Sequence, residues 1–187
     1  MSQNLYGVYP NSWPFIAESR VIQRVSPDDL DALWAGGWRH FGTEFFRSSL
    51  MVDEMCLKRQ VALRIEVPEF RLSRSQKRTL KKNGDLDWHF ATAEPGDEEH
   101  ALFERHKSRF ARNVPEHLKE FLGDSPGQHP GPCLQLSVRS EGRLVAASYL
   151  SLGARSCSSV YAVFDPDESR RRLGIFTMLL ELEFART

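Results

Sequence analysis

The chain has 187 residues, 41% of them apolar, and its 25 basic side chains balance its 25 acidic ones. That length fits one domain, or one domain with a small appendage, and supplies enough apolar material for a sizeable core. Zero net charge removes any global argument for a nucleic-acid partner, so such an argument has to come from a local patch. Cys56, Cys133 and Cys157 stand far apart with no CxxC or CxxxC pair, which points away from a disulfide framework and a zinc site and toward a reducing, cytoplasmic compartment. No apolar run approaches the roughly 20 residues that span a bilayer, so no membrane partner is expected. The opening MSQNLYGVYPNSWPF lacks the apolar core of a signal peptide.

Residues 1–25 mix aromatics with Pro and Asn and read as an extended lead-in. Ser26-Pro27-Asp28-Asp29 predicts a helix start, with a hydroxyl cap, proline at the first helical position and acids in the first turn. Leu30, Leu33 and Trp34 give that helix its apolar face, and Gly36-Gly37 ends it. Trp38 to Gly42, with Phe45-Phe46, reads as a short hairpin. Val61, Leu63, Ile65 and Val67 alternate with Arg64 and Glu66, the period of a half-buried strand, which Pro68 stops. Ser73, three residues before Gln76, makes a capping box, and the helix it starts is expected to run to Lys82 and stop at a left-handed Asn83-Gly84 cap.

Asp87 to Ala93 reads as a strand, and Asp97 as the cap of a helix carrying Leu102, Phe103, His106 and Phe110 on one stripe. Pro115 starts a shorter helix through Leu118, Phe121 and Leu122, and residues 123–132 form a Gly/Pro-rich loop. Three strands then follow in a meander: Leu134 to Val138, Leu144 to Leu152 and Ser158 to Phe164. In the last, Val160, Ala162 and Phe164 fall on one side, Tyr161 and Val163 on the other. Asp165-Pro166-Asp167 breaks that strand as a turn. An apolar helical pattern with Met178, Leu179, Leu182 and Phe184 then runs to Thr187 without a stop signal, so a C-terminal part of the domain is expected to be absent. Strand–helix segments followed by an antiparallel meander that ends in strand–helix give an α/β domain with a mixed, largely antiparallel sheet flanked by helices.

Two stretches carry chemistry. From Lys58 to Lys82 nine basic residues face only Glu66 and Glu69. Arg74, Lys77, Arg78 and Lys81 are spaced three and four apart, so they share one helical face. Their mutual repulsion opposes folding, whereas a polyanion would neutralise them and release counterions; the bland alternative, a solvated helix face, stands level with it. The second stretch, Ser156 to Ile175, runs from a strand through a tight polar break and three arginines into a Gly-containing helix start, a shape that aims backbone N–H groups at an anion. Arg171-Arg172-Leu173-Gly174-Ile175-Phe176 partly matches the Q/R-x-x-G-x-G/A loop that cradles acetyl-CoA in the GNAT class of acetyltransferases, with Phe176 where a small residue is needed.

LRIEV-x-x-FRLSRSQKRTLKKNGDL (Leu63 to Leu86) and SSVYAVFDPDESRRRLGIFTMLLELEFAR (Ser158 to Arg186) together resemble the two hallmark segments of the aminoacyl-tRNA–protein transferases, the arginyltransferases and their bacterial leucyl relatives. Leu72 replaces a proline of that pattern, and the region that carries paired cysteines in many members holds only Cys56. The resemblance implies a GNAT-like catalytic domain over residues 58–187, behind a reduced N-terminal subdomain of residues 1–57 that lacks the cysteine cluster. It implies transfer of Arg or Leu from aminoacyl-tRNA to the α-amine of proteins with N-terminal Asp or Glu, an N-degron tag, with no cofactor and no metal. Within it, Ser73, Arg74, Gln76, Lys77, Arg78 and Lys81 are assigned to the tRNA acceptor end. Ser159, Tyr161 and Asp165 are assigned to the reaction pocket, Asp165 orienting the amine or accepting its proton, or else only capping the turn. Arg64, Arg171 and Arg172 are assigned to the acidic acceptor side chain, and His100 and His106 are left as packing or surface residues. Two other readings are an acyl-CoA N-acetyltransferase, which Phe176 argues against, and an inactive adaptor that keeps the tRNA- or degron-binding surface.

Overall fold

The computed structural model describes residues 15–53 and 56–187; most of the lead-in, residues 1–14, lies outside them. The rest of the lead-in contains an unexpected strand, β1 (Ala17–Val21). Ser26 accepts the Asp29 N–H and opens α1 (Pro27–Ala35), which ends at Gly36. Leu30 and Trp34 of α1 pack with Trp38 and Phe45 into a small core. β2 (Arg39–Phe41) and β3 (Glu44–Ser48) form the expected hairpin, and β1 adds to it in the antiparallel order β1-β3-β2. β4 (Leu50–Asp53) and β5 (Cys56–Arg59) pair as a second hairpin.

The alternating stretch from Val61 to Val67 is not a strand. Its backbone is irregular up to a 3-10 turn at Val67–Glu69, and Val61, Leu63 and Ile65 are all exposed. A period-two pattern becomes a strand only when a neighbour takes up its N–H and C=O groups, and among the described residues no strand pairs with this one. The capping box does form. Ser73 accepts the Gln76 N–H at 3.2 Å, Gln76 reaches back to the Ser73 N–H at 2.8 Å, and α2 spans Arg74–Lys82. Its end differs from the expected left-handed cap. Asn83 sits at φ −106° and instead uses its buried side-chain amide, which donates to Thr79 O and Arg171 O.

β6 (Asp87–Thr92), β7 (Cys133–Ser140), β8 (Arg143–Leu152) and β9 (Cys157–Phe164) make a four-stranded sheet in that order, with every pairing antiparallel. One face is covered by α3 (Asp97–Lys107) and the single turn α4 (Lys119–Leu122), through a core of Leu102, Phe103, Leu118, Leu122, Ala147, Tyr149 and Val163. α3 begins at Gly96 rather than at an Asp97 cap, and Glu99 reaches back to the Gly96 N–H. The helix expected from Pro115 is a single turn, and the Glu120 carboxylate takes the Glu116 and His117 N–H groups ahead of it. The other face carries α5 (Leu173–Phe184), with α2 beside it, over Leu136, Val138, Val145 and Ala146.

The N-terminal elements are joined to this layer through backbone contacts. Gly42 donates to Phe121 O at 2.8 Å, and a Cβ on Gly42, whose φ is +49°, would lie 3.1 Å from the Gly123 backbone. Asp31 of α1 accepts from Arg155 N–H and from the Ser156 hydroxyl, which holds the β8–β9 hairpin.

Candidate functional site

β9 pairs only with β8 among the described residues, so it is the open edge of the sheet. Its register with β8 shifts in the middle: Tyr149 faces Tyr161 but Leu150 faces Ser159, leaving Val160 without a partner. This bulge overturns the simple alternation expected for the strand. Val160 and Tyr161 both pack toward the α3–α4 core, while Phe164 packs toward α5. Ser159 and Tyr161, two odd-numbered residues that share a face in a regular strand, therefore part. Ser159 lies beside Glu181 of α5. Tyr161 stacks on Phe121, centroids 3.8 Å apart at 10°.

Beyond β9 the chain turns as a 3-10 helix, Pro166–Arg171, and enters α5 through Arg172, which is left-handed at φ 58°. Asp165 is buried at the start of this turn. It accepts the Asp167 N–H, bonds Arg143, and has Arg105 at 3.6 Å, so its observed work is to cap and anchor the turn. Arg143 continues to Glu168, Glu168 to Arg171, and Arg171 makes a two-pronged contact with Asp85 at 2.9 Å on each arm. That contact holds the Asp85 carboxyl below its ordinary value and the Arg171 guanidinium above its own. The Arg171 fork is thus already filled. Arg172 turns toward α2, where its guanidinium donates to Ser75 Oγ at 3.2 Å.

Arg74, Lys77, Arg78 and Lys81 are all exposed on α2, and no carboxylate pairs with them among the described residues. Ser73 and Gln76 are spent on the capping box. Arg172 joins the basic face of α2 at the entrance of α5, and Arg170 is exposed on the turn before it. Arg64 stands exposed on the irregular 61–67 stretch.

Two parts of the anion-cradle expectation change. The Phe176 ring is buried with Leu173 and Leu180, away from the helix mouth, so it does not obstruct anything there. Gly174 is small because Phe164 leaves no room: a Cβ would sit 3.0 Å from that ring.

Sequence reasoning left His106 as a packing or surface residue and passed over Arg105, Arg109 and Glu181 at this edge. His106 is buried, and its Nδ1 accepts the Phe164 N–H at 3.0 Å, capping the open side of β9; burial pushes its pKa down. Arg105 and Arg109 flank it on exposed ground, Arg109 lying 4.4 Å over the Phe164 ring. Glu181 is buried against β8 and β9. The sequence signal for Arg105 and Arg109 was their i, i+4 spacing on a stripe with His106; Glu181 gave none, because its pattern is that of any apolar helix. Among the described residues no group of three or more His, Cys, Asp and Glu side chains is placed to hold a metal ion, and no helix is long and apolar enough to cross a membrane.

The family model described as the C terminus of arginine-tRNA-protein transferase matches residues 98–187. The chain is 30% identical over 181 residues to an aspartate/glutamate leucyltransferase of Shewanella sp. strain MR-4, covering 89% of this chain and 69% of the relative. It is 28% identical over 156 residues to the protein of that name from Hahella chejuensis, covering 80% and 63%, respectively. A third relative of that name, from Leptospira interrogans, is 28% identical over 183 residues, covering 95% and 70%. The chain thus spans between 63% and 70% of the length of these curated relatives.

Proposed function

The chain belongs to the aminoacyl-tRNA–protein transferase family, and on that premise we propose that it transfers an aminoacyl group from tRNA to the α-amine of proteins beginning with Asp or Glu, marking them for degradation. Leucine as the transferred residue follows the name of the relatives; arginine, the name of the family model, is the other arm of the test. The catalytic unit is read as a GNAT-like layer over residues 58–187, with residues 1–57 as an appended subdomain. Family membership, rather than Phe176, is what favours this reading over an acyl-CoA acetyltransferase.

The observation that carries the proposal is the seam between α2 and the β9 turn. Asn83 donates to Arg171 O at 2.9 Å, Asp85 holds the Arg171 fork, and Arg172 leans on Ser75. A helix face suited to phosphates is therefore fixed against the end of the open strand. The tRNA acceptor end is assigned to Arg74, Lys77, Arg78 and Lys81, with Arg172 moved to this donor side. Ser73 and Gln76 shape the helix start. The acceptor's acidic side chain is assigned to Arg109 and Arg105, which flank β9, with Arg64 as the distal candidate and Arg171 kept as a seam residue. Tyr161 lines the edge through its stack on Phe121, and Asp165 orients the turn.

The chemistry asks little of a nucleophilic side chain. The ester of an aminoacyl-tRNA is already activated, and an α-amine of pKa about 7.7–8.0 is partly neutral near pH 7. Attack on the carbonyl carbon forms the C–N bond, the C–O bond to the ribose breaks, and the ribose oxygen leaves with a proton. Holding the two substrates in line and removing one proton supplies most of the acceleration.

The test is incubation of the chain with Leu-tRNA or Arg-tRNA and peptides beginning with Asp, Glu or Ala. Incorporation of label into the Asp and Glu peptides alone is expected. Transfer of neither amino acid sinks the proposal.

A further inference from the structure

Three carboxylates are buried among the described residues: Glu99, Asp165 and Glu181. Glu99 takes the Gly96 N–H and the Gln135 amide, and Asp165 takes Arg143 and the Asp167 N–H. Glu181 differs. It is 5% exposed, it has no cation, and its Oε1 has no hydrogen-bond partner among the described residues. A buried carboxylate oxygen left open costs free energy and calls for an explanation.

The surroundings supply one. Glu181 lies on the inner face of α5, one turn after the buried Thr177, against β8 and β9. The hydroxyls of Ser148 on β8 and Ser159 on β9 adjoin the carboxyl. Ser148 is buried, whereas Ser159 is exposed on the open edge strand, next to the bulge. Ser159 is thus a hydroxyl with one side toward solvent and the other toward a buried carboxylate.

The geometry points to a two-residue proton relay in which Ser159 touches the incoming α-amine and Glu181, acting through Ser159, receives its proton. This rests on the transfer reaction proposed above. The amine arrives as an ammonium group with three protons. One passes to Ser159 Oγ as the Ser159 proton passes to Glu181. The freed lone pair attacks the ester carbonyl, a second proton leaves with the ribose oxygen, and the amide keeps the third. Glu181 then returns its proton to solvent by the same route.

The charged and titratable groups around Glu181 leave it free for this work. Cys157 on β9 and Cys133 on β7 are the thiols that feel its charge, and burial pushes both up, Cys133 to about 12, so both stay neutral. β8 offers the neutral Ser148. The cations Arg74, Lys77, Arg78, Lys81 and Lys82 of α2 are exposed, and Arg171 and Arg172 are held by Asp85, Glu168 and Ser75. Burial raises the Glu181 carboxyl to about 7, a value suited to a proton acceptor at neutral pH.

The experiment compares the wild-type chain with Glu181→Gln and Ser159→Ala over pH 5.5 to 9.5, reading kcat/KM for an Asp-initiated peptide and, separately, Leu-tRNA affinity. Both variants are expected to keep tRNA affinity, to fall about tenfold or more at pH 6.5, and to recover toward wild type above pH 8.5, where the amine deprotonates unaided. A loss of the same factor at every pH marks a structural role and overturns the relay, as does full activity of either variant. A second reading does not depend on turnover: a 13C-glutamate NMR titration of wild type should contain a carboxyl that titrates near neutrality, is absent in Glu181→Gln and is shifted in Ser159→Ala. No such signal overturns the relay, while its presence in a chain that transfers nothing refutes only the transferase proposal.

Discussion

Replacing Arg74 and Arg78 together by Ala tests whether the exposed face of α2 is the tRNA surface. Both side chains are exposed and neither has a carboxylate partner among the described residues, so their removal costs no native ion pair. Alanine favours helix, and the Ser73–Gln76 capping box stays intact, so α2 keeps its fold. Each phosphate contact contributes about 0.7 to 0.9 to the slope of log affinity against log salt, so losing two flattens it by about 1.4 to 1.8. Between 50 and 200 mM salt the wild-type affinity should then fall about tenfold further than that of the variant. Filter binding of tRNA at four salt concentrations measures both slopes, with circular dichroism as the folding control. Equal slopes for the two proteins would refute the assignment of α2 to the polyanion.

Arg109→Ala should raise KM for a Glu-initiated peptide about tenfold and leave tRNA affinity alone, because Arg109 is exposed over Phe164 and is not part of the basic face of α2; an unchanged KM removes Arg109 from the acceptor site. Asn83→Ala should cost about 1 to 3 kcal/mol in urea unfolding, since its buried amide donates to Thr79 O and Arg171 O; a change below about 0.5 kcal/mol would mean that the seam contributes little. Glu181 titrates at about 7 when folded against 4.5 as a free side chain, so the folded state binds the extra proton between those values. Stability should therefore fall as pH rises through that window, by on the order of 3 kcal/mol, and Glu181→Gln should flatten the profile. Thermal melts from pH 4.5 to 8 measure it, and a variant as pH-sensitive as wild type contradicts the raised carboxyl.

Local signals in the sequence were legible where the chain's own neighbours decide the outcome. Ser26-Pro27 and Ser73–Gln76 start helices because the capping atoms lie within three residues of the groups they satisfy. The three-strand meander is likewise close to its reading, since short turns fix its pairings. Val61 to Val67 failed because alternation describes a side-chain pattern and says nothing of whether a partner strand exists. Asn83 failed in the same way. Its cap is set by Arg171, which is 88 residues distant. At the candidate site the sequence placed Ser159, Tyr161 and Asp165 together because they lie on one strand and the turn that follows it. What parts them is a bulge that no composition rule announces and a helix, α5, whose inner Glu181 reads as one more position in an apolar run.

The bulge also bears on how two substrates meet at one strand. In a regular strand Ser159 and Tyr161 would both face the same packed layer, and neither substrate could approach without opening a core. With Val160 looped out, Ser159 turns toward Glu181 on the α5 side, while Tyr161 stays with Phe121 on the α3 side. Among the described residues β9 is the sheet edge, so both of its sides border the same flank. On the assignments proposed above, a polyanion held on α2 approaches from the α5 side, next to Arg172, while the acidic side chain of a peptide is held at Arg109 over Phe164 and its α-amine reaches Ser159. The two anchoring surfaces proposed above are then separate, and the reacting groups meet at Ser159. Binding of either substrate alone should leave the other's affinity nearly unchanged, as expected for ligands that share a rigid strand and no surface.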